Sequence, residues 1–286
     1  MRCWFLLFLM ATTSTAFAQS NEAKAGGRCG EARSITTQSG ATMRYALAEA
    51  RGDAAPGARS ALVMLIGGGG FIALDDKGCA QKLNGNSLIR MSPLLREAGV
   101  ATVLVDVPSD LRGEEGLGGF RIAAGHAEDL GKVIAELRSR IQGPVWIIGH
   151  SRGTISAANA AARLTGSFAP DGVVLLSPML VGDARAKKSW VAQTVFSVDL
   201  EAIKAPLLIV GHAADNCVRS PADRMGNIAA KTQAARQQVA TVTGGPVSAG
   251  RAPGVAACEV GEPHDFVDQE AEVAAGIVRF MRGGNY

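Results

Sequence analysis

The stretch Val145-Trp-Ile-Ile-Gly-His-Ser-Arg-Gly-Thr154 decides the fold. Its apolar first half is typical of a strand buried on both faces. Its second half has the spacing Gly149-x-Ser151-x-Gly153, and the Ala-rich segment that follows predicts a helix. A serine on such a strand-to-helix turn is exposed beside the free N–H groups of the helix, which favour negative charge. The stretch therefore predicts a nucleophile at Ser151, although a serine that only caps a helix would give the same pattern.

Apolar runs and helical stretches alternate along the rest of the chain. The further runs that predict buried strands cover residues 61–66, 100–107, 172–176, 206–211 and, more weakly, 238–243. The segments with helical spacing cover residues 87–98, 119–142, 153–165, 221–235 and 268–281. A hairpin of two short strands, 34–38 and 42–48, precedes them. This order predicts an α/β fold with a mostly parallel central sheet and helices on both faces.

The domain organisation is simple. No repeat or linker divides residues 19–286, so we expect a single domain. A short insertion at about 178–204 follows the run 172–176 and would form at most a minimal cap over the site. The 286 residues are 47% hydrophobic and 19% charged, which excludes disordered and low-complexity classes. The net charge of +3 gives no reason to expect nucleic acid or an anionic membrane as partner.

The N-terminus has the pattern of a secretory signal peptide. Met1-Arg2 supplies a positive start, an apolar run begins at Trp4, and Ala16-Phe17-Ala18 matches the small-residue cleavage site. We expect residues 1–18 to be removed after Ala18 and the product to be secreted or periplasmic. No later segment is long and apolar enough to predict a membrane span.

Four cysteines remain after the signal peptide is removed. An even number in an oxidising compartment predicts two disulfides, and four cysteines allow three connectivities. Cys217 and Cys258 would join the two loops that carry the candidate acid and base, which would leave Cys29 and Cys79 to pair. These pairings are hypotheses. No C-x-x-C spacing occurs, and the histidines are far apart, so no metal site is predicted.

A nucleophilic serine needs a base and an acid that orients it. His264 stands in the loop before the last helix, where it can approach the strand-to-helix turn of Ser151, and it is the predicted base. Asp215 follows the run 206–211 and is the predicted acid. Asp265 and Asp106 are rivals for the acid, but Asp265 is adjacent to the histidine and Asp106 more simply caps its own loop.

The glycine run Gly67–Gly70 follows the run 61–66 and can bring backbone N–H groups close to a substrate. We predict that the N–H groups of Gly69 and Arg152 form the oxyanion hole. The spacing Gly68-x-Gly70-x-x-Ala73 also matches a loose dinucleotide fingerprint, but neither a helix nor a suitably placed acid follows it. No cofactor is therefore predicted.

Taken together, Gly67–Gly70, the elbow Gly149–Gly153, Asp215 and His264 resemble the α/β-hydrolase superfamily. More narrowly, Val105–Asp110 and the Ser-Arg-Gly-Thr elbow are similar to secreted bacterial serine hydrolases of unassigned substrate, in which a cysteine also follows the triad acid. The resemblance implies the α/β-hydrolase fold across about residues 40–282. One departure is Asp265, since this group often has glycine after the triad histidine.

The sequence therefore predicts a serine hydrolase that cleaves a small carboxylic ester through an acyl-enzyme. A serine peptidase or amidase would use the same triad, and a catalytically silent binding protein could reuse the fold. The expected partner is a small-molecule ester or amide, and the sequence gives no oligomeric state.

Overall fold

The computed structural model describes residues 28–51, 59–245 and 251–286. The predicted signal peptide, residues 1–18, lies outside the described residues, and export remains a prediction. Within the described ranges, no helix has the length and apolar character required to cross a membrane.

Eight strands form one sheet. They are β1 (Glu31–Thr36), β2 (Thr42–Ala48), β3 (Ser60–Leu65), β4 (Val100–Pro108), β5 (Val145–His150), β6 (Gly172–Leu176), β7 (Leu207–His212) and β8 (Gln237–Val242). The strand order is β1-β2-β4-β3-β5-β6-β7-β8. The β1–β2 and β2–β4 pairs are antiparallel, and all other pairs are parallel. The predicted mostly parallel sheet is confirmed.

Helices cover both faces of the sheet. They are α1 (Ser87–Glu97), α2 (Ala124–Ile141), α3 (Gly153–Arg163), the short α4 (Gly226–Ala229) and α5 (Glu270–Met281). Along β3, Val63 and Leu65 point into the core with α2 and α3, whereas Leu62 and Met64 point into the core with α1 and α5. Each strand side chain buried in this way contributes about 1.5–3 kcal/mol to folding.

The predicted helix at 119–142 is interrupted near its start. Residues Gly118–Ile122 form a 3₁₀ turn, and α2 begins only at Ala124. Ala123 between them is extended, with ψ of 147°. The extended residue gives the chain a change of direction before α2, so that the 3₁₀ turn can carry Arg121 into the interior.

The prediction of a helix over 221–235 is wrong for most of its length. Only Ala222–Arg224 and α4 are helical. The N–H groups of Gln233 and Ala235 donate to Ile203 and Lys204 instead of to a preceding helical turn. The segment therefore runs back beside residues 203–204 before it enters β8.

The insertion predicted to be a minimal cap contains three 3₁₀ turns and no α-helix between residues 178 and 204. These turns are Ser189–Ala192, Val195–Ser197 and Leu200–Ala202. The insertion lies against the elbow, because the guanidinium of Arg152 stacks on the Trp190 ring at 4.4 Å and donates to the Trp190 carbonyl. Whether it acts as a cap over substrate stays a prediction.

Candidate active site

Ser151 lies on a sharp turn between β5 and α3. Its φ of +53° is in the left-handed region, which costs an L-residue about 1–2 kcal/mol. The flanking glycines make the turn possible, since a Cβ on Gly149 would collide with the Gly153 carbonyl, and one on Gly153 would collide with the Leu65 carbonyl. The serine N–H donates to the Leu176 carbonyl at 2.9 Å. Ser151 is thus held at the carboxyl edge of the sheet in a strained conformation, a feature concentrated at functional sites.

His264 and Asp215 are brought together at the same edge. Asp215 stands just after β7, and His264 stands in the 3₁₀ turn Pro263–Asp265 before α5. The Nδ1–H of His264 donates to Asp215 Oδ2 at 2.8 Å, with both side chains at most 1% exposed. The other carboxylate oxygen of Asp215 accepts from the N–H of Cys217 at 2.8 Å. These bonds fix the tautomer that leaves Nε2 of His264 as a proton acceptor.

Nε2 of His264 is buried and has no hydrogen-bond partner in the described part of the chain. The hydroxyl of Ser151 therefore makes no hydrogen bond to it in this conformation. Both residues are nevertheless anchored to the end of β6. The N–H of Ser151 donates to the Leu176 carbonyl, and the hydroxyl of Ser177, the residue after Leu176, donates to the His264 carbonyl at 2.8 Å. Serine and histidine are thus anchored to adjacent residues. Catalytic hydrogen bonds of this kind are often long in the unliganded state.

His150 makes a hydrogen bond to the backbone of the loop that carries His264. Burial lowers the pKa of His150 to about 4, so its imidazole is neutral at pH 7. The amide of Asn86, which caps α1, donates to Nδ1 at 2.9 Å. Nε2–H therefore donates to the His264 carbonyl at 3.0 Å. The sequence places His150 in the elbow but gives no sign of this role, because the contact joins residues 114 positions apart.

Asp265 fixes the same loop to α1 and is not the orienting acid. One of its carboxylate oxygens accepts from the N–H of Ser87 at 2.9 Å, at the positive end of α1. The other accepts from the Arg90 guanidinium at 2.6 Å. The side chain is 1% exposed. Asp265, where the similar secreted hydrolases often have glycine, thus anchors the loop that carries His264.

Asp106, the second rival, also has a different task. Its carboxylate accepts from the N–H groups of Ile72 and Leu74, each at 3.0 Å, and from that of Val107 at 2.9 Å. It therefore ties the segment that follows the glycine run to the end of β4. No contact links it to His264.

The glycine run passes beside Ser151. A Cβ on Gly67 would meet the Ser151 Cβ at 3.0 Å, so only glycine fits there without a shift. Gly68 is exposed with φ of +56°, and Gly70 N–H donates back to the Gly67 carbonyl at 3.0 Å. Among the described residues, the N–H groups of Arg152, Gly68 and Gly69 have no acceptor. These N–H groups are therefore candidate donors beside the serine.

A cavity of about 380 Å³ opens beside Ser151. Its wall includes Gly67 and Gly68 but not Gly69, which lies against the backbone of Glu114 and Glu115. The structure therefore adds Gly68 to the candidate donors, and the predicted role of Gly69 stays a prediction. Leu83 and Val260 form the apolar mouth of the cavity.

No protein-family model matches the chain, and neither does any curated protein sequence. Solved structures do match. A carboxyl esterase from Bacillus coagulans aligns with a TM-score of 0.59 at 13% identity, over 88% of this chain and 97% of that one. An α/β serine hydrolase homologue from Coxiella burnetii aligns at 0.53 and 16% identity, over 88% and 97%. A lidless α/β serine hydrolase from Xanthomonas campestris aligns at 0.53 and 15%, over 90% and 94%.

The chain has the α/β-hydrolase fold. Agreement in fold over nearly the whole of both chains, at such low identity, confirms the predicted architecture. It assigns no substrate, because this fold carries many chemistries. Within the fold, Ser151 follows β5, Asp215 follows β7 and His264 follows β8, each at the carboxyl edge where α/β sheets bind ligands.

Two disulfides cross-link the α/β-hydrolase fold, and one of them lies beside the candidate site. Cys29 is bonded to Cys79, and Cys217 is bonded to Cys258, the connectivity predicted from the positions of the loops. The second bridge joins the loop of Asp215 to the segment before His264, across 41 residues. Structural disulfides persist in oxidising compartments, so the pairing is compatible with export.

We expect the two bridges to affect activity differently. Replacing both Cys217 and Cys258 with serine should lower the free energy of unfolding by about 4 kcal/mol and also lower kcat, because the acid and base loops lose their cross-link. The matched control replaces Cys29 and Cys79, whose bridge spans 50 residues. It should cost about the same stability and leave kcat unchanged. Urea denaturation and ester turnover measure the two effects, and an equal loss of kcat in both variants would contradict the prediction.

The two remaining histidines, His126 and His212, lie outside the His264–Asp215 pair. Neither ring nitrogen of His126, buried in α2, has a hydrogen-bond partner among the described residues. Nδ1 of His212 accepts from the N–H of Ala214 at 3.0 Å, so its Nε2–H donates to the Gly244 carbonyl, after β8, at 3.1 Å. The side chains of Asp215, Cys217 and His264 lie within 4.8 Å of one another, the one grouping of potential metal ligands within the described ranges. The sulfur of Cys217 is in a disulfide and the other two are bonded to each other, so the donor set does not suit a metal.

Proposed function

We propose that the protein is a serine hydrolase that cleaves small carboxylic esters. The observation that carries this proposal is the buried His264–Asp215 pair, whose free Nε2 lies at the sheet edge where the elbow presents Ser151. The esterases and serine hydrolases among the structural neighbours support it, since they share the fold over nearly their full length. The strained backbone of Ser151 also favours an active site, because such conformations are concentrated at functional sites.

The proposed reaction has two stages. In the first stage, the Ser151 hydroxyl rotates towards Nε2 of His264, which takes the proton as Oγ attacks the ester carbonyl. Asp215 holds the ring and stabilises the imidazolium that forms. The imidazolium then gives the proton to the leaving alcohol, which departs from the tetrahedral intermediate. In the second stage, His264 deprotonates a water as it attacks the acyl carbonyl, the imidazolium returns the proton to Oγ as the acyl C–Oγ bond breaks, and the carboxylic acid leaves.

The negative oxygen of each tetrahedral intermediate needs donors that are already in place. The N–H of Arg152 is one, since it stands at the start of α3 with no other acceptor among the described residues. The glycine run supplies the second, from Gly68 or from Gly69. Removing one such donor typically lowers kcat by about 10²–10³.

The cavity beside Ser151 supports a compact substrate. Its volume of about 380 Å³ is near the lower end for small-molecule sites, and Leu83 and Val260 make its mouth apolar. Leu83 has φ of +52°, an unusual conformation for leucine, and it remains 40% exposed at the mouth. We propose that this cavity receives a short apolar group of the ester.

Narrowing the cavity should change the preference for chain length. Val260→Trp should lower kcat/KM for a nitrophenyl hexanoate by at least about tenfold while nitrophenyl acetate loses little, because the ring fills space that the longer chain needs. Val239→Trp is the matched control, since Val239 is similarly exposed on β8 and takes no part in the cavity. It should leave both esters unaffected. Equal losses for both esters in Val260→Trp would exclude this cavity as the binding site.

The proposal itself is tested with a fluorophosphonate probe, which labels activated serines. Labelling of the folded wild type at one equivalent, together with hydrolysis of nitrophenyl esters, is the expected result. Absence of both in a protein that unfolds cooperatively would favour the catalytically silent binding protein. Matched nitroanilides in the same panel separate an esterase from an amidase or peptidase.

A further inference from the structure

Arg121 is a buried cation without a carboxylate partner in the described part of the chain. Its side chain is 0% exposed. The guanidinium donates to Ser156 Oγ at 2.9 Å and to the carbonyls of Ile66 and Gly68 at 3.1 and 3.0 Å, all neutral acceptors. Its Nε has no hydrogen-bond partner among residues 28–51, 59–245 and 251–286. Burial lowers the pKa of Arg121 to about 9, so the group is still charged at neutral pH. A buried, unpaired charge is costly, and its presence calls for a compensating role.

The three contacts of Arg121 all lie around the nucleophile. Ile66 and Gly68 flank Gly67, the residue that lies against the Ser151 side chain. Ser156 stands on α3, five residues after the nucleophile. The guanidinium therefore joins the glycine run to the elbow helix, the two elements that must keep a fixed distance for an oxyanion hole to exist.

The glycine run is also shaped to admit this cation. Gly70 has φ of +77°, and a Cβ at this position would meet the Nη2 of Arg121 at 3.0 Å and the Leu117 side chain at 3.2 Å. A side chain at residue 70 would thus displace the guanidinium. The bond from Arg121 to the Gly68 carbonyl fixes the following peptide plane, and because that peptide is trans, the Gly69 N–H points to the opposite side.

We infer that Arg121 is a positioning residue that holds the oxyanion loop, Gly67–Gly70, against the elbow and places a positive charge behind the developing oxyanion. The inference rests on the proposed hydrolase function. A neutral donor could hold the same carbonyls at a lower cost of burial. The cation adds an attraction that grows as negative charge appears on the substrate, so it favours the transition state over the bound ester.

The test compares kcat with KM in three variants. Arg121→Met should lower kcat for a short nitrophenyl ester by about 10², the effect of a lost oxyanion donor, with KM within about threefold of the wild type. Arg121→Lys keeps the positive charge and one donor nitrogen, so it should recover part of the lost kcat. Ser156→Ala frees one end of the guanidinium and should lower kcat by about threefold to tenfold. Active sites are counted by the final stoichiometry of fluorophosphonate labelling, which separates slower turnover from loss of folded protein.

The matched control is Arg236→Met. Arg236 also donates to two carbonyls, those of Phe280 and Gly284, but it lies just before β8, at the end of that strand opposite the carboxyl edge. This variant should lose stability and keep its kcat.

Wild-type kcat in Arg121→Met, or a loss fully explained by fewer active sites, overturns the inference. If neither Arg121 variant folds, Ser156→Ala decides: a lower kcat at unchanged KM supports the inference, and wild-type kcat overturns it. A wild type that does not label fails the proposed hydrolase function instead, so the two failures are distinguishable.

Discussion

Ser151→Ala should abolish fluorophosphonate labelling and lower kcat for short esters by about 10⁶. Attack on the carbonyl needs the Oγ that this change removes, while the oxyanion donors and the cavity remain, so a small residual rate over water is expected. The fold should be unaffected, because alanine meets the same φ of +53° as serine and leaves the N–H bond to Leu176 in place. Ester turnover, labelling and urea denaturation measure the three parts.

Ser139→Ala provides the matched control for the loss of a hydroxyl. Ser139 lies on α2, is exposed and donates only to the backbone of its own helix. Labelling and turnover should both match the wild type. If Ser151→Ala still labels at one equivalent, the nucleophile is another residue and the proposed mechanism is wrong.

His264→Ala should lower kcat by about 10⁵ or more while Ser151 remains in place. Without the imidazole, nothing in the site takes the proton of the hydroxyl, so labelling should also become slow. We expect the free energy of unfolding to fall by about 1–3 kcal/mol, because Oδ2 of Asp215 is left buried without its partner. Progress curves with a short ester and a urea titration give both quantities.

The control for the histidine is His126→Leu, since both nitrogens of His126 are buried without a hydrogen-bond partner in the part of the chain that the structure describes. Burial, together with the positive charge of Arg121, lowers its pKa to about 3, so the imidazole is neutral at pH 7 and leucine should preserve kcat. Should His264→Ala retain more than about a tenth of wild-type kcat, the histidine is structural and another base must be sought.

The architecture follows from local pattern because the buried strands are continuous apolar runs that need two covered faces. The elbow also has a local sequence signature, since Gly149 is required by the Gly153 carbonyl four residues later, although Gly153 is required by the Leu65 carbonyl of β3. The pairing of His264 with Asp215 follows from chain order once the sheet is parallel, because strand ends meet at one edge. Where a helix was predicted too long, at residues 221–235, a tertiary backbone pairing with residues 203–204 overrides local propensity.

The supporting contacts could not be predicted from the sequence. His150, Asn86 and Asp265 each act through partners more than 60 residues away, and nothing in their local pattern announces it. Arg121 falls in the segment predicted as the start of a helix, but it lies in a separate 3₁₀ turn and is buried. Such contacts depend on how loops meet, which no periodicity encodes.

The carbonyl of His264 receives two donors, from the ring of His150 and from the hydroxyl of Ser177. The main chain beneath the imidazole is therefore clamped from two sides, and Asp215 restrains the ring itself. In the proposed cycle, the imidazole of His264 stays fixed, and the change from the resting to the reactive state is a rotation of the Ser151 hydroxyl. Substitutions that change kcat without touching the triad would then act on the rotational freedom of that hydroxyl, through the side chains that pack around it.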